Sequence, residues 1–202
     1  MVDQVILRPA TGADVEALAQ LWNLTFPDKF GRILGETAEP VLRDWLRLSQ
    51  RHIQTTTVAE ISHRVAGYIV LATPSGPRPD DGRWLWHALQ LHHGLLGALR
   101  GFTLMALINH DRPPGEDEVY IEMLGVDPGW QGQGLGRCLM AYAEAVARSE
   151  RATHLVLNVV SDNLKAIRLY QKLGFETTLE QHSRILAWVT GHAGYYEMVK
   201  RL

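Results

Sequence analysis

Apolar residues recur at two periods along this chain, and the order of those periods predicts its elements. Val5 to Leu7 is a short apolar run ended by Arg8-Pro9, which predicts a first strand. From Asp14 to Phe26, the residues Val15, Leu18, Leu21 and Trp22 fall at helical spacing, with a cap near Thr11. Pro40 suits the first turn of a second helix, whose stripe is Val41, Leu42, Trp45 and Leu48. Thr55 to Ile61 and Val65 to Ala72 are rich in β-branched residues. They flank Ser62-His63-Arg64, which predicts an antiparallel pair.

Pro74-Ser75-Gly76-Pro77-Arg78-Pro79 then interrupts regular structure. In Trp84 to Ile108, Leu85, Leu89, His92, Leu96 and Leu99 recur at helical spacing, while Gly94, Gly97 and Gly101 weaken a single long helix. The expectation is a pair of packed helices; the sharper reading is a lid or a self-association surface. Arg100 and three histidines argue against a membrane span. Pro113-Pro114-Gly115 closes this insertion, which occupies about residues 74–116.

Beyond it, Val119, Ile121 and Met123 alternate with Glu118, Tyr120 and Glu122, the pattern of a half-buried strand. Asp127-Pro128-Gly129 turns the chain into a glycine-rich loop, and Leu139 to Val146 continues as an amphipathic helix. Leu155 to Val160 is another strand, Asn163 to Leu173 a helix closed by Gly174, and Tyr195 to Leu202 a last strand. The order β-α-α-β-β, insertion, β-α-β-α-β predicts a mixed α/β sheet in a single domain over 1–202.

Composition adds exclusions. The 202 residues are 46% apolar and 21% charged, ordinary values for a globular domain. A net charge of -2 argues against nucleic-acid binding through a basic surface. The single cysteine, Cys138, excludes an internal disulfide and a site built on several thiolates. MVDQVILRPA lacks the pattern of a secretory signal, so a cytoplasmic location is expected.

The chemistry concentrates in Gln131-Gly132-Gln133-Gly134-Leu135-Gly136, between a strand and a helix. Missing Cβ atoms admit a ligand close to the backbone, and a helix amino terminus offers unpaired N–H groups. Together they suit phosphate or pyrophosphate, with Arg137 as an added charge. Gly136-Arg137-Cys138 lacks the Lys-Ser/Thr of a Walker loop, and the glycine spacing is wrong for a dinucleotide fingerprint. A purely structural turn is the competing reading.

Val126-Asp127-Pro128, the loop Gln131-x-x-Gly134-x-Gly136 and Asn163-x-x-Ala166-x-x-x-Tyr170-x-x-x-Gly174-Phe175 together resemble the GCN5-related N-acetyltransferase (GNAT) family. The resemblance is specific from about Glu118 to Glu176. It implies a largely antiparallel twisted sheet, splayed at the coenzyme site and flanked by helices; the helical insertion before the motif strand, Pro74 to Glu116, departs from the family's common pattern. It also implies acetyl-CoA as cosubstrate, an amine acceptor and direct transfer in a ternary complex.

On that resemblance, Leu124, Gly125 and Val126 offer main-chain partners to the pantetheine arm, and Gln131 to Arg137 hold the pyrophosphate. Asn163 and Tyr170 lie two helical turns apart on one face, with the small Ala166 between them. Tyr170 is the candidate acid at the leaving sulfur; packing on the apolar face is its alternative. Glu122 is the first candidate for the base that deprotonates the amine, against a solvated or salt-bridged role. Some relatives place a base Glu on the following strand, where this chain has Asn158, an amide suited to holding a water.

His87, His92 and His93 have suitable chemistry for a base at unknown positions. Cys138 as an acyl nucleophile competes with Cys138 as a small packed residue. His92-His93 and His110 are the nearest thing to a metal cluster, but adjacent helical residues diverge by about 100 degrees. No metal is expected. The partners expected are acetyl-CoA and an amine, with no nucleic acid and no membrane; the insertion is a candidate acceptor wall or homodimer contact. The rival function is a non-catalytic acyl-CoA sensor on the same fold.

Overall fold

The computed structural model describes residues 5–78, 82–108 and 112–202. Strand β1 (Ile6–Pro9) leads through a 3-10 turn into α1 (Val15–Thr25), and the backbone N–H of Thr11 donates to Asp14 Oδ2 at 2.8 Å. Arg8 grips Asp14 with both terminal nitrogens at 2.8 Å and donates from Nε to Glu60 at 2.7 Å. This cluster ties the first strand, the first helix and β2 together, and it holds the Asp14 carboxyl down to about 2.

Short α2 (Arg32–Leu34) precedes α3 (Ala38–Leu48) and α4 (Gln50–Thr55). Trp22 organises this layer: its ring lies 6.2 Å from Phe30, 5.9 Å from Trp45, 5.7 Å from His52 and 6.0 Å from Tyr68. The His52 ring, edge-on to Trp45 at 4.5 Å, pins α4 against α3. Strands β2 (Thr56–Ile61) and β3 (Arg64–Ala72) form the expected antiparallel pair, turned by Ser62 and His63 at positive φ.

The insertion carries α5 (Arg83–Ile108), which is two helical arms rather than one. Gly94 breaks it at φ 62°, ψ -174°, a conformation closed to most side chains. A Cβ on Gly101 would meet Leu89 Cδ2 at 3.1 Å, so that glycine lets the second arm pack on the first. By length and apolar content the whole segment would pass for a membrane span. The break leaves each arm shorter than the roughly 20 residues a span requires. Leu91, Leu95, Leu96 and Leu99 of α5 are exposed.

Strand β4 (Glu118–Val126), helix α6 (Leu135–Ser149), β5 (His154–Val160), α7 (Leu164–Lys172), β6 (Glu176–His182), α8 (Arg184–Thr190) and β7 (Gly194–Arg201) complete the chain. Among the described residues seven strands run in the order β1-β2-β3-β4-β5-β7-β6, with all pairings antiparallel except the parallel β4–β5. One apolar core joins the sheet to α1, α3, α5 and α8; a second joins its other face to α6 and α7.

Three expectations require correction. The sheet has seven strands rather than six, because β6 is exposed along its whole length and carries no alternation to read. Helix α6 begins at Leu135, four residues before the stripe predicted it. Strand β4 is buried on both faces: Tyr120 is 1% exposed, not part of a solvated polar face. The flanking helices cover both sides, as alternation alone could not reveal.

Candidate active site

The site begins with a register change. Val70 pairs with Met123 while Leu71 pairs with Ile121, so Glu122 is the extra residue of a bulge in β4. A bulge bends its strand and reverses the alternation of faces beyond it. Ile121 accordingly packs with α6 and α7, whereas Met123 joins the opposite core. On the other edge, β4 pairs with β5 only from Glu118↔His154 to Ile121↔Leu157, although both strands continue. The strands part at the bulge.

A cavity of about 500 Å³ fills this parting. Its walls include Glu122 and Leu124 from β4, Asn158 from β5, and Asn163, Ala166 and Tyr170 from the start and face of α7. These are six of the residues singled out from sequence. Thr25 to Lys29 and His192 close it from the α1 side.

Asn163 caps α7 by accepting from the Ala166 amide at 3.1 Å, which explains the Asn-x-x-Ala spacing locally. Tyr170 packs on Phe175 with ring centroids 5.9 Å apart. Its hydroxyl has no hydrogen-bond partner among the described residues. Burial pushes the phenol up to about 12. Asn158 Nδ2 donates to the Tyr120 hydroxyl at 2.9 Å.

The glycine loop lies beside this cavity rather than in its walls. Asp127 accepts from the Gly129 amide at 2.7 Å and starts a single 3-10 turn. Gly132 and Gly134 follow at φ 79° and 89°, and Gly134 caps α6. A Cβ built at either would meet nothing within 4 Å, so the loop presents bare backbone to solvent at a helix amino terminus. Gln131 donates to the Val126 carbonyl at 3.2 Å and accepts from Lys165 at 3.0 Å; Gln133 donates to the Gly129 carbonyl at 3.2 Å. Leu135 is buried, Gly136 is half-buried and Arg137 is exposed. Gly125 serves packing: an added Cβ would clash with the Tyr68 ring.

Glu122 is 9% exposed and its carboxylate is gripped by the Arg51 guanidinium, with Nη1 at 3.1 Å from Oε2 and Nη2 on Oε1. Sequence reasoning missed Arg51, which follows no motif and reaches the site through α4. Glu122 and Met123, with Lys29, also line a second cavity of about 320 Å³. Its remaining walls combine Phe30, Trp45, Arg51 and His52 with insertion residues that include Leu85, Phe102, Met105 and Arg112. The insertion thus reaches the strand carrying Glu122.

The other histidines lie elsewhere. His92 pairs with Asp44 at 2.7 Å and His93 with Thr37 at 2.8 Å, stapling α5 to the α3 region, while His87 is exposed. His192, unremarked in the sequence, joins Asp162 at 2.8 Å and Asp28 at 3.3 Å at the first cavity. Cys138 is half-buried. His110 lies outside the described residues, and among the described residues no three His, Cys, Asp or Glu side chains group as metal ligands.

The splayed strands, glycine loop and capped helix form the architecture that the sequence resemblance implies, and comparison with known proteins gives the family. The profile of the Acetyltransferase (GNAT) family matches residues 15–175, and the chain belongs to that family. It is 46% identical over 136 residues to a streptothricin acetyltransferase of Streptomyces lavendulae, covering 60% of this chain and 69% of that one. It is 53% identical over 58 residues to a mycothiol acetyltransferase of Acidothermus cellulolyticus, covering 29% of this chain and 17% of the relative. The chain spans only about a sixth to a third of such mycothiol acetyltransferases.

Among solved structures, an acetyltransferase superposes with a TM-score of 0.69 at 24% identity, over 97% of this chain and 98% of that one. A Salmonella typhimurium protein solved with its cofactor acetyl-CoA gives 0.57 at 20% identity, over 98% and 94%. At these identities the likeness concerns the fold.

Proposed function

We propose that residues 1–202 form one N-acetyltransferase domain, which transfers the acetyl group of acetyl-CoA directly to an amine. The observation that carries this reading is the parting of β4 and β5 beside a bare glycine loop, with Glu122 in the walls of two adjoining cavities. The loop amides from Gln131 to Arg137 hold phosphate oxygens, with the α6 amino terminus adding its partial positive charge. Main-chain groups of β4 beyond Ile121 are left without a β5 partner and take the amides of the pantetheine arm, with Leu124 in the cavity wall.

Glu122 receives the proton of the amine, directly or through a water held near Asn158, freeing the nitrogen lone pair. The nitrogen then forms a bond to the thioester carbonyl carbon as the carbon–sulfur bond breaks. Tyr170 donates a hydrogen bond to the departing sulfur. Cys138 forms no acyl intermediate in this scheme. The insertion supplies the acceptor wall, and its exposed leucine row on α5 is the proposed homodimer contact. A cytoplasmic location fits acetyl-CoA as donor.

Turnover of acetyl-CoA by the purified chain against a panel of amines, with streptothricin included, tests the reading. Acceptor-dependent release of free thiol is the expected result. Tight coenzyme binding without turnover of any amine would leave the sensor reading in its place.

A further inference from the structure

The second cavity has an unusual charge balance for a pocket that receives an amine. Among its described lining residues, Glu122 is the one carboxylate, against Lys29, Arg51 and Arg112. Arg112 is already committed, to Glu118 at 2.6 Å and Glu197 at 3.5 Å. Arg51 is not so anchored. Apart from its pair with Glu122, its side chain makes among the described residues only a long contact from Nε to the Pro77 carbonyl at 3.4 Å.

Both members of the Arg51–Glu122 pair have side chains only 9% exposed. A bare ammonium that displaced Arg51 from Glu122 would leave a buried guanidinium without its partner, which is strongly unfavourable. An acceptor that brings its own anion removes that penalty: its ammonium meets Glu122 while its anion takes the fork of Arg51. The rest of the wall supports the same ligand. Phe30, Phe102, Leu85 and Met105 offer an apolar surface, and the Trp45 indole N–H is buried with no hydrogen-bond partner among the described residues.

We propose that the acceptor is a zwitterion: an amine with a carboxylate or similar anion within one or two carbons, and an apolar or aromatic side chain. Arg51 is the residue that selects it. This rests on the acetyltransferase reading for the identity of the reacting nitrogen, but the ion exchange is a binding event and is measurable without turnover.

The test is calorimetric titration of the coenzyme-A-bound protein with phenylalanine, leucine and methionine, each against its decarboxylated amine. At least one amino acid is expected to bind about tenfold or more tightly than its matched amine, the scale of one charge-assisted contact. In Arg51→Gln that preference is expected to vanish, and in Arg51→Lys, which keeps the charge without the fork, to shrink. Equal or tighter binding of every decarboxylated amine, no binding by any member of the set, or a preference unchanged in a folded Arg51→Gln protein would each overturn the proposal. The wild-type comparison stands even if Arg51→Gln fails to fold. Acetyl-CoA turnover measured on the same samples reports separately on the acetyltransferase reading: zwitterion selectivity without turnover would refute that reading alone.

Discussion

Replacing Tyr170 by Phe removes one oxygen and keeps the ring on Phe175. The magnitude follows from where that oxygen sits. Burial pushes the phenol up to about 12, while an alkyl thiol such as that of cysteine titrates near 8.5. Complete transfer of the phenolic proton to a thiolate would therefore run uphill by about 3.5 units, or ~5 kcal/mol. Tyr170 is better suited to stabilising the sulfur by a hydrogen bond than to surrendering its proton outright. The expected loss in the chemical step is thus about 10²-fold, the low end of the range for a positioned acid.

Stability should not fall, because the hydroxyl leaves no partner unsatisfied when it is removed. The assay is single-turnover transfer with saturating acetyl-CoA, so that product release does not mask the step, alongside a thermal melt. Because burial raises the phenol's pKa, Tyr170 stays protonated as the pH passes 10, and any alkaline loss of activity below that belongs to another group. Wild-type single-turnover rates in a normally folded Tyr170→Phe protein would refute the role and leave Tyr170 as a packing residue.

Gly134→Glu sets a carboxylate on the bare loop at a left-handed position, and the stabilisation by coenzyme A, ~2.7 kcal/mol at about 100 times Kd, should disappear. A full thermal shift in that variant would mean the phosphates bind elsewhere. The Asp14 carboxyl is depressed to about 2 by Arg8, so its contribution is complete above the unfolded value near 3.9 and is lost as pH falls through 2. Asp14→Asn should cost about 2 kcal/mol at pH 7 and flatten the acid side of the stability profile; an unchanged profile between pH 5 and pH 2 would contradict the assignment. Ala106→Trp fills the second cavity from an exposed position on α5, and should raise the acceptor KM about tenfold while sparing the acetyl-CoA KM. Equal effects on both substrates would place the acceptor elsewhere. Leu95→Lys with Leu96→Lys should yield a monomer by light scattering, and an unchanged assembly would move the contact off α5.

The proposed coenzyme half of the site is legible in the sequence because its parts are local. Asn163, Ala166 and Tyr170 share a helix, and Gln131 to Gly136 share a turn, so spacing alone places them together. Gly94, Gly97 and Gly101 likewise announced a broken helix, and α5 breaks at the first of them. The proposed acceptor half is opaque for the opposite reason. Arg51 reaches Glu122 across 71 positions, and His192 joins Asp28 and Asp162 from three different parts of the chain. Nothing periodic marks such partners. Strand β6 escaped because an edge strand exposed throughout buries no face, and β4 misled because a bulge reverses the alternation on which the strand was recognised.

That bulge is where fold and chemistry meet. Without an extra residue at Glu122, Met123 would stay on the face of Ile121, and the strand would keep its register with its neighbour. The extra residue lets β4 turn from one core to the other at the point where its pairing with β5 ends. The same turn gives Glu122 a place in the walls of both cavities, one opened by the parted strands and one completed by the insertion. In the proposed mechanism a carboxylate there faces the amine from one cavity and the coenzyme from the other, and burial would make it intolerable without a cation. Arg51 supplies that cation from a helix held in place by the rings of His52, Trp22 and Trp45. The aromatic cluster of the amino-terminal layer thereby positions a charge beside Glu122, which under the proposed mechanism links a packing feature of the core to the choice of acceptor.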